Sequence, residues 1–168
     1  MQNNYLIRVL CMSDIHGNQT QAENILKNEK YDLAISSGDT ELEFEWIQNH
    51  FHFFVTGNND FDRSLPLESK FNLGNVSVYL THGHILGGYD TLVNEEKIKN
   101  ATQHINQKLI VYGHSHYPVH FYDSETGKTF INPGSITYPR FGSKKSYCLI
   151  DLNIEKGTVE KVQFKNIT

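Results

Sequence analysis

Leu6-Ile7-Arg8-Val9-Leu10-Cys11-Met12 runs without a break into Ser13-Asp14-Ile15-His16-Gly17-Asn18, and the reading of that junction decides the fold. The apolar run reads as a buried strand. A polar loop follows at once, and it carries a carboxylate and an imidazole one residue apart. If the backbone stays extended there, Asp14 and His16 point to the same side, as the two-residue period of a strand requires.

The same junction recurs along the chain. Tyr31 to Ser36 leads into Ser37-Gly38-Asp39, and Phe51 to Val55 leads into Gly57-Asn58-Asn59-Asp60. Val76 to Thr81 ends on His82-Gly83-His84, and Leu109 to Tyr112 ends on Gly113-His114-Ser115-His116. Asp14, His16, Asp39, Asn58, His82, His114 and His116 thus all stand where a strand gives way to a loop. Such an arrangement delivers metal-binding side chains to one edge of a sheet.

Between these junctions the pattern alternates. Residues 19 to 29 read as a helix with Ala22, Ile25 and Leu26 on one face, and residues 41 to 49 as a second with Leu42, Trp46 and Ile47 inward. The β-α-β order implies a sheet that begins parallel, with right-handed crossovers. Beyond residue 60 the runs at 68 to 73, 76 to 81, 109 to 112, 118 to 122, 128 to 131, 146 to 152 and 158 to 165 are strand-like. Glu125-Thr126-Gly127 and Glu155-Lys156-Gly157 suit hairpin turns, and only residues 91 to 106 look helical. The expectation is an α/β fold in one domain, residues 1 to 168: two sheets packed as a sandwich, helices on the outer faces, and the site at strand ends.

Composition bounds the function. The 168 residues suit one core, and 38% hydrophobic with 20% charged residues is ordinary globular composition. A net charge of -4, with no Lys/Arg block longer than Lys144-Lys145, argues against an extended nucleic-acid partner. The first apolar stretch is too short for a signal segment or a membrane span, so a cytoplasmic protein is expected. Cys11 and Cys148 lie in apolar runs and behave there as small buried hydrophobes. Self-association through an apolar strand edge stays open.

Each cluster alone has a plain reading. Gly-Asp and Gly-Asn-Asn-Asp are turn formers, and Asp-x-His occurs in solvated loops. Four histidines at two strand ends, in two pairs with the same one-residue gap, are harder to explain by packing, and neutral imidazole is the commonest transition-metal ligand. His50, His52, His104 and His120 fall outside the pattern.

Taken in order, Asp-x-His, Gly-Asp, Gly-Asn, His and Gly-His-x-His resemble the calcineurin-like metallophosphoesterases over nearly the whole chain. The short length, Gly57-Asn58-Asn59-Asp60, His82-Gly83-His84 and Asn132-Pro133-Gly134-Ser135 resemble its small YfcE-like phosphodiesterase branch. The resemblance implies that Asp14, His16 and His116 hold one divalent metal, that Asn58, His82 and His114 hold another, and that Asp39 bridges them. It implies Mn²⁺ first, with Zn, Fe, Ni or Mg as substitutes. Two such ions, about 3.5 to 4 Å apart, can clamp a phosphoryl group and acidify a water toward a pKa of ~7, so that hydroxide attacks phosphorus without a protein nucleophile. The substrate is then a small phosphate ester.

One position departs from the superfamily. Many members carry His directly after the motif Asn, where it assists the leaving group, and this chain has Asn59. An amide is no proton donor of that kind. General acid assistance is worth ~10²- to 10⁴-fold, so phosphodiesters and esters with acidic leaving groups are the expected substrates. His84 is the nearest candidate to substitute, and Asp60 is expected to orient a neighbouring loop or ligand. Asn18 and Arg140 are further candidates for phosphate contact, each with a surface role as the alternative. The same resemblance offers a second reading, a non-catalytic scaffold like the Vps29 trafficking subunits.

Overall fold

The computed structural model describes residues 4–62 and 64–168. Strands β1 (Leu6–Met12), β2 (Leu33–Ser36) and β3 (Phe53–Phe54) alternate with helices α1 (Gln19–Asn28) and α2 (Phe44–His50). Then come β4 (Glu68–Leu73), β5 (Val76–Thr81), α3 (Tyr89–Leu92), α4 (Glu95–Ala101), β6 (Leu109–Val111), β7 (Val119–Asp123) and β8 (Lys128–Asn132). The hairpin β9 (Ser146–Asn153) and β10 (Thr158–Asn166) ends the order. Two five-stranded sheets result, ordered β10-β9-β1-β2-β3 and β4-β5-β6-β8-β7.

The first sheet is parallel from β1 to its β3 edge and antiparallel on the β9-β10 side, while the second has a parallel centre and antiparallel flanks. β1, β2 and β3 run together, as do β5, β6 and β8. All the metal-site candidates except His116 follow these strands within four residues, at their carboxyl ends, where open α/β sheets characteristically bind ligands.

Three apolar layers explain the strand composition. Val9, Cys11, Ile35, Val78, Leu80, Val111, Ile131, Cys148 and Ile150 fill the space between the sheets. Leu10, Met12 and Ala34 face the other way, onto Ala22, Ile25 and Leu26 of α1 and Ile47 of α2. Tyr79, Ile110 and Phe130 do the same against Leu92 and Ile98. Central strands buried on both faces carry apolar residues almost continuously, which is why β1 reads as a run rather than an alternation. Cys11 and Cys148 are register partners across β1 and β9, both buried and both free thiols.

Two sequence expectations need correction. The helix read over 91 to 106 is two short helices, because Asn94 leaves helical geometry and caps α4 by accepting from the Lys97 amide at 3.0 Å. The helix read from 41 begins at Phe44, since Glu41 sits at φ 53°, outside right-handed helix space. Leu42 and Trp46 are half-buried, and Ile47 is the buried contact. No helix among the described residues is long and apolar enough to cross a membrane.

Candidate metal centre

The backbone at the site is not extended. Asp14, His16, Asp39, His114 and His116 have φ of 52°, 47°, 51°, 67° and 56°, in the left-handed region that non-glycine residues avoid. Each such residue costs about 1–2 kcal/mol. Asp14 and His16 therefore converge because two strained residues fold the loop inward, and the simple two-residue strand period does not apply. Strain of this kind persists only where surrounding bonds over-determine it.

Those bonds are present. Asp14, His16 and Gly17 amides donate to the carbonyls of Gly38, Asp39 and Thr40 at 3.0, 3.0 and 2.8 Å, tying the β1 loop to the β2 loop. Ser135 Oγ donates to the Asp14 carbonyl at 2.7 Å, and Asn132 Nδ2 donates to Gly113 O and Ser115 Oγ at 3.0 Å each. The Asn-Pro-Gly-Ser segment thus braces both the Asp14 and the His114 loops.

Two trios emerge, each with one atom per residue within 4.8 Å of the others: Asp14, His16 and His116, and Asp39, His82 and His114. They share one pocket, with His82 Nε2 lying 3.3 Å from Asp39 Oδ2 and 3.8 Å from Asp14 Oδ1. Asn58 Oδ1 reaches His82 Nε2 at 3.1 Å, beside the second trio.

The chemistry of the donors fits cations. His16 Nδ1 meets Glu41 Oε1 at 2.8 Å, His82 Nδ1 meets Ser37 O at 2.8 Å, and His116 Nδ1 meets Tyr138 O at 2.6 Å. Each acceptor draws the ring proton to Nδ1 and leaves Nε2 facing the pocket, the usual way a protein presents imidazole to a metal. His16 Nε2 and His116 Nε2 then confront each other at 3.0 Å, and Asp14 Oδ1 stands 3.0 Å from His116 Nε2 and 3.6 Å from His16 Nε2. That buried oxygen accepts no well-directed hydrogen bond. Buried oxygens normally find one, and converging lone pairs of this kind are what a divalent cation satisfies.

Electrostatics point the same way. Burial would raise the Asp14 carboxyl, but the facing His116 and His16 rings hold it far below the usual carboxylate range. Burial likewise opposes the Asp39 carboxylate, and His82 with the Asn59 amide overcomes it. Burial lowers His16, yet Asp14 and Glu41 lift it to about 9, and His82 is raised by Asp39 and Asp14 in the same manner. Burial and the neighbouring His82 drop His114 to about 4. Protons on His16 and His82 supply, in the metal-free protein, the positive charge that the two carboxylates demand.

A pH dependence follows. The His16 pKa is raised, so its contribution to metal-free stability is complete below about 6.5 and is lost as pH climbs through about 9. A metal must displace that proton, so apparent metal affinity should rise up to tenfold per pH unit and level off near pH 9. Calorimetric titration with Mn²⁺ at three pH values between 6.5 and 8.5 reads this directly; a flat affinity would contradict the proton assignment.

The remaining candidates occupy distinct places. The Asn59 backbone amide donates to Asp39 Oδ1 at 2.8 Å and its side-chain amide to Asp39 Oδ2 at 2.9 Å, so Asn59 grips both oxygens of that carboxylate. Asp60 is engaged by backbone, accepting from the amides of Asp39, Gly57 and Glu41 at 2.9, 2.7 and 2.9 Å. His84 lies with its ring 5.5 Å from that of His82, and its buried Nδ1 has no hydrogen-bond partner. Asn18 caps α1, its Oδ1 accepting from the Gln21 amide at 3.3 Å. Glu41 escaped the sequence reading, although a carboxylate two residues past Asp39 was the available signal. Tyr89 and Tyr138, whose rings lie tilted against those of His114 and His16, carried no signal at all.

Two glycines leave room for the carboxylates. A Cβ on Gly57 would overlap Asp39 Oδ1 and sit 2.6 Å from its Cγ, and one on Gly113 would overlap Ser13 Oγ and lie 2.7 Å from Asp14 Oδ2. Gly57→Ala should therefore displace Asp39 and weaken metal binding by roughly 10–100-fold, the scale of losing a ligand's supporting contact. Metal content of the purified variant tests it, and full occupancy would show that Asp39 can shift without consequence.

Comparison with known proteins identifies the family. Residues 7–155 match the calcineurin-like phosphoesterase superfamily domain. The probable metallophosphoesterase YsnB of Bacillus subtilis (strain 168) is 34% identical over 157 residues, 91% of this chain and 89% of YsnB. A 78-residue stretch, 46% of this chain and 35% of its counterpart, is 33% identical to phosphodiesterase YfcE of Escherichia coli (strain K12). Among solved structures, a Streptococcus pneumoniae TIGR4 protein described as a predicted phosphoesterase superposes with a TM-score of 0.79 at 27% identity, over 96% of this chain and 90% of that one. Chaetomium thermophilum Vps29 shares the fold at a TM-score of 0.71 and 18% identity, over 96% and 97%. The chain belongs to the calcineurin-like phosphoesterase superfamily, with the fold of a metal-dependent phosphoesterase and two groups of side chains that could hold metal ions.

Proposed function

We propose that this protein is a phosphodiesterase with a binuclear centre, in which Asp14, His16 and His116 hold one divalent cation, Asn58, His82 and His114 the other, and Asp39 both. The observation that carries the reading is the convergence of two donor trios on one pocket. Divalent cations bound there would neutralise phosphoryl oxygens and acidify a water. The family resemblance puts manganese first, and the mixed nitrogen and oxygen donors accommodate it as well as zinc.

The chain's own residues shape what can leave. Asn59 is turned onto Asp39, where it positions that carboxylate and offers no acidic proton. His84 is the nearest imidazole outside the trios, and burial together with His82 lowers its pKa, which disfavours the imidazolium form that a general acid needs. Both features favour esters whose leaving group departs without protonation, which diesters with an aryl or other acidic substituent provide. Asp60, Glu41 and Ser37 fix the loops and rings around them.

The test is a metal-resolved assay. Protein stripped with a chelator and reloaded with Mn²⁺, Zn²⁺, Fe²⁺, Ni²⁺ or Mg²⁺ should bind two equivalents and hydrolyse bis(4-nitrophenyl) phosphate at least ~10²-fold faster than glycerol 3-phosphate. Two bound equivalents with no turnover on any ester would favour a scaffold of the Vps29 kind; equal rates on diester and alkyl monoester would remove the diester preference.

A further inference from the structure

Three side chains at the mouth of the pocket belong to neither trio: Tyr138, Tyr89 and Arg140. The Tyr138 ring lies 5.4 Å from that of His16 and is 59% exposed. Its backbone is fixed at both ends, the amide donating to Ser135 Oγ at 2.9 Å and the carbonyl accepting from His116 Nδ1 at 2.6 Å. An open aromatic face therefore stands on a rigid loop beside the first trio. Tyr89 takes the corresponding place beside the second, 4.9 Å from the His114 ring.

Arg140 joins the two sides. Its backbone amide donates to the His116 carbonyl at 3.1 Å, and its guanidinium lies over the Tyr89 ring at 4.3 Å, within cation–π range. The only hydrogen bond its side chain makes among the described residues is a long one, 3.5 Å, to the His114 carbonyl. No described carboxylate pairs with it, whereas Arg8 near the opposite end of β1 is fully engaged with Asp151 at 2.7 and 3.1 Å. A planar fork of N–H donors, held in place by an aromatic ring and left without an anion, is suited to a phosphate oxygen. The adjoining Phe141 sits at φ 55°, a strained position that fixes the path of this loop.

Resting on the phosphodiesterase reading, we propose that Arg140 and Tyr138 form the recognition lip of the site. Arg140 pairs with an anionic oxygen of the ester, and Tyr138 stacks on a flat aromatic substituent, so the substrate class is a nucleoside or aryl phosphodiester. Stacking on one open ring accepts any base, because every base has a π-face. Selection is for the presence of a planar group and against purely aliphatic esters.

Binding of product-like ligands to the metal-loaded protein tests this apart from turnover. Calorimetric titration should show adenosine 5′-monophosphate binding about 10-fold tighter than glycerol 3-phosphate, the scale of one stacked base. Tyr138→Ala should erase that difference, Tyr138→Phe should keep it, and Arg140→Gln should weaken both ligands about 10-fold. Equal affinities in the native protein, or a difference that survives Tyr138→Ala, would overturn the lip. Metal content and melting temperature, measured on every variant, separate a lost lip from a lost fold. Turnover of bis(4-nitrophenyl) phosphate is followed in parallel: if it is absent while the binding difference holds, the phosphodiesterase reading fails and the lip stands.

Discussion

Asp39→Asn will remove most of the bound metal and lower phosphoesterase activity by roughly 10³-fold or more, the scale at which loss of even one charge-stabilising donor operates. The substitution keeps the size and planarity of the side chain, and the Asn59 backbone amide, now 2.8 Å from Asp39 Oδ1, can keep its acceptor. What disappears is a buried negative charge. Asp39 Oδ2 faces His82 at 3.3 Å and His16 at 4.0 Å, one ring from each trio, and among the described residues only Asp14 Oδ1, 3.8 Å and 3.6 Å from the same two rings, is placed similarly. Metal per chain by elemental analysis and turnover with saturating Mn²⁺ are the measurements. Unchanged turnover at full occupancy would sink the bridging assignment.

How much of this was legible in the sequence depends on what kind of physics fixed each part. The strands were, because two-sided burial writes itself as the apolar runs Leu6 to Met12 and Val76 to Thr81. The order of Asp, Asn and His at the strand ends was legible too, since those side chains have few other reasons to sit there together. Backbone conformation was not. Asp14 and His16 look like neighbours on one face of a strand, and only the φ of 52° and 47° shows that a coiled loop brings them together. The break at Asn94 was hidden because Asn is tolerated within a helical pattern as well as at its start. Partners separated by long stretches of sequence were also invisible: Tyr138 O on His116, Glu41 on His16, and Arg140 over Tyr89. Asn59 shows the limit most clearly. Its identity told what it lacks, a proton to donate, and the fold adds what it does, which is to hold Asp39.

Asp60→Ala should unfold the site from behind. One carboxylate takes three backbone amides, those of Asp39, Gly57 and Glu41, and a hydroxyl from Thr40 at 3.3 Å. It thereby sets the left-handed turns at Asp39 and Glu41, with φ of 51° and 53°. Hydrogen bonds to a charged acceptor contribute about 1.5–3 kcal/mol each, and a partly exposed position lets water recover some of that. A net loss of about 3–4 kcal/mol is the expected scale, which for a chain of this size lowers the melting temperature by about 10 °C. Asp39 and the Asn58-Asn59 turn lose their common anchor, so metal affinity should fall with stability, by roughly 10–100-fold. Asp60→Asn, which keeps one carbonyl oxygen, should lie between alanine and the native protein. Asp62→Ala is the control, because the half-buried Asp62 carboxylate accepts, among the described residues, only from Ser64, at 2.9 and 2.6 Å. Thermal melts with and without Mn²⁺ distinguish the outcomes: native melting and native metal affinity in Asp60→Ala would mean that the left-handed turns hold Asp39 without this carboxylate.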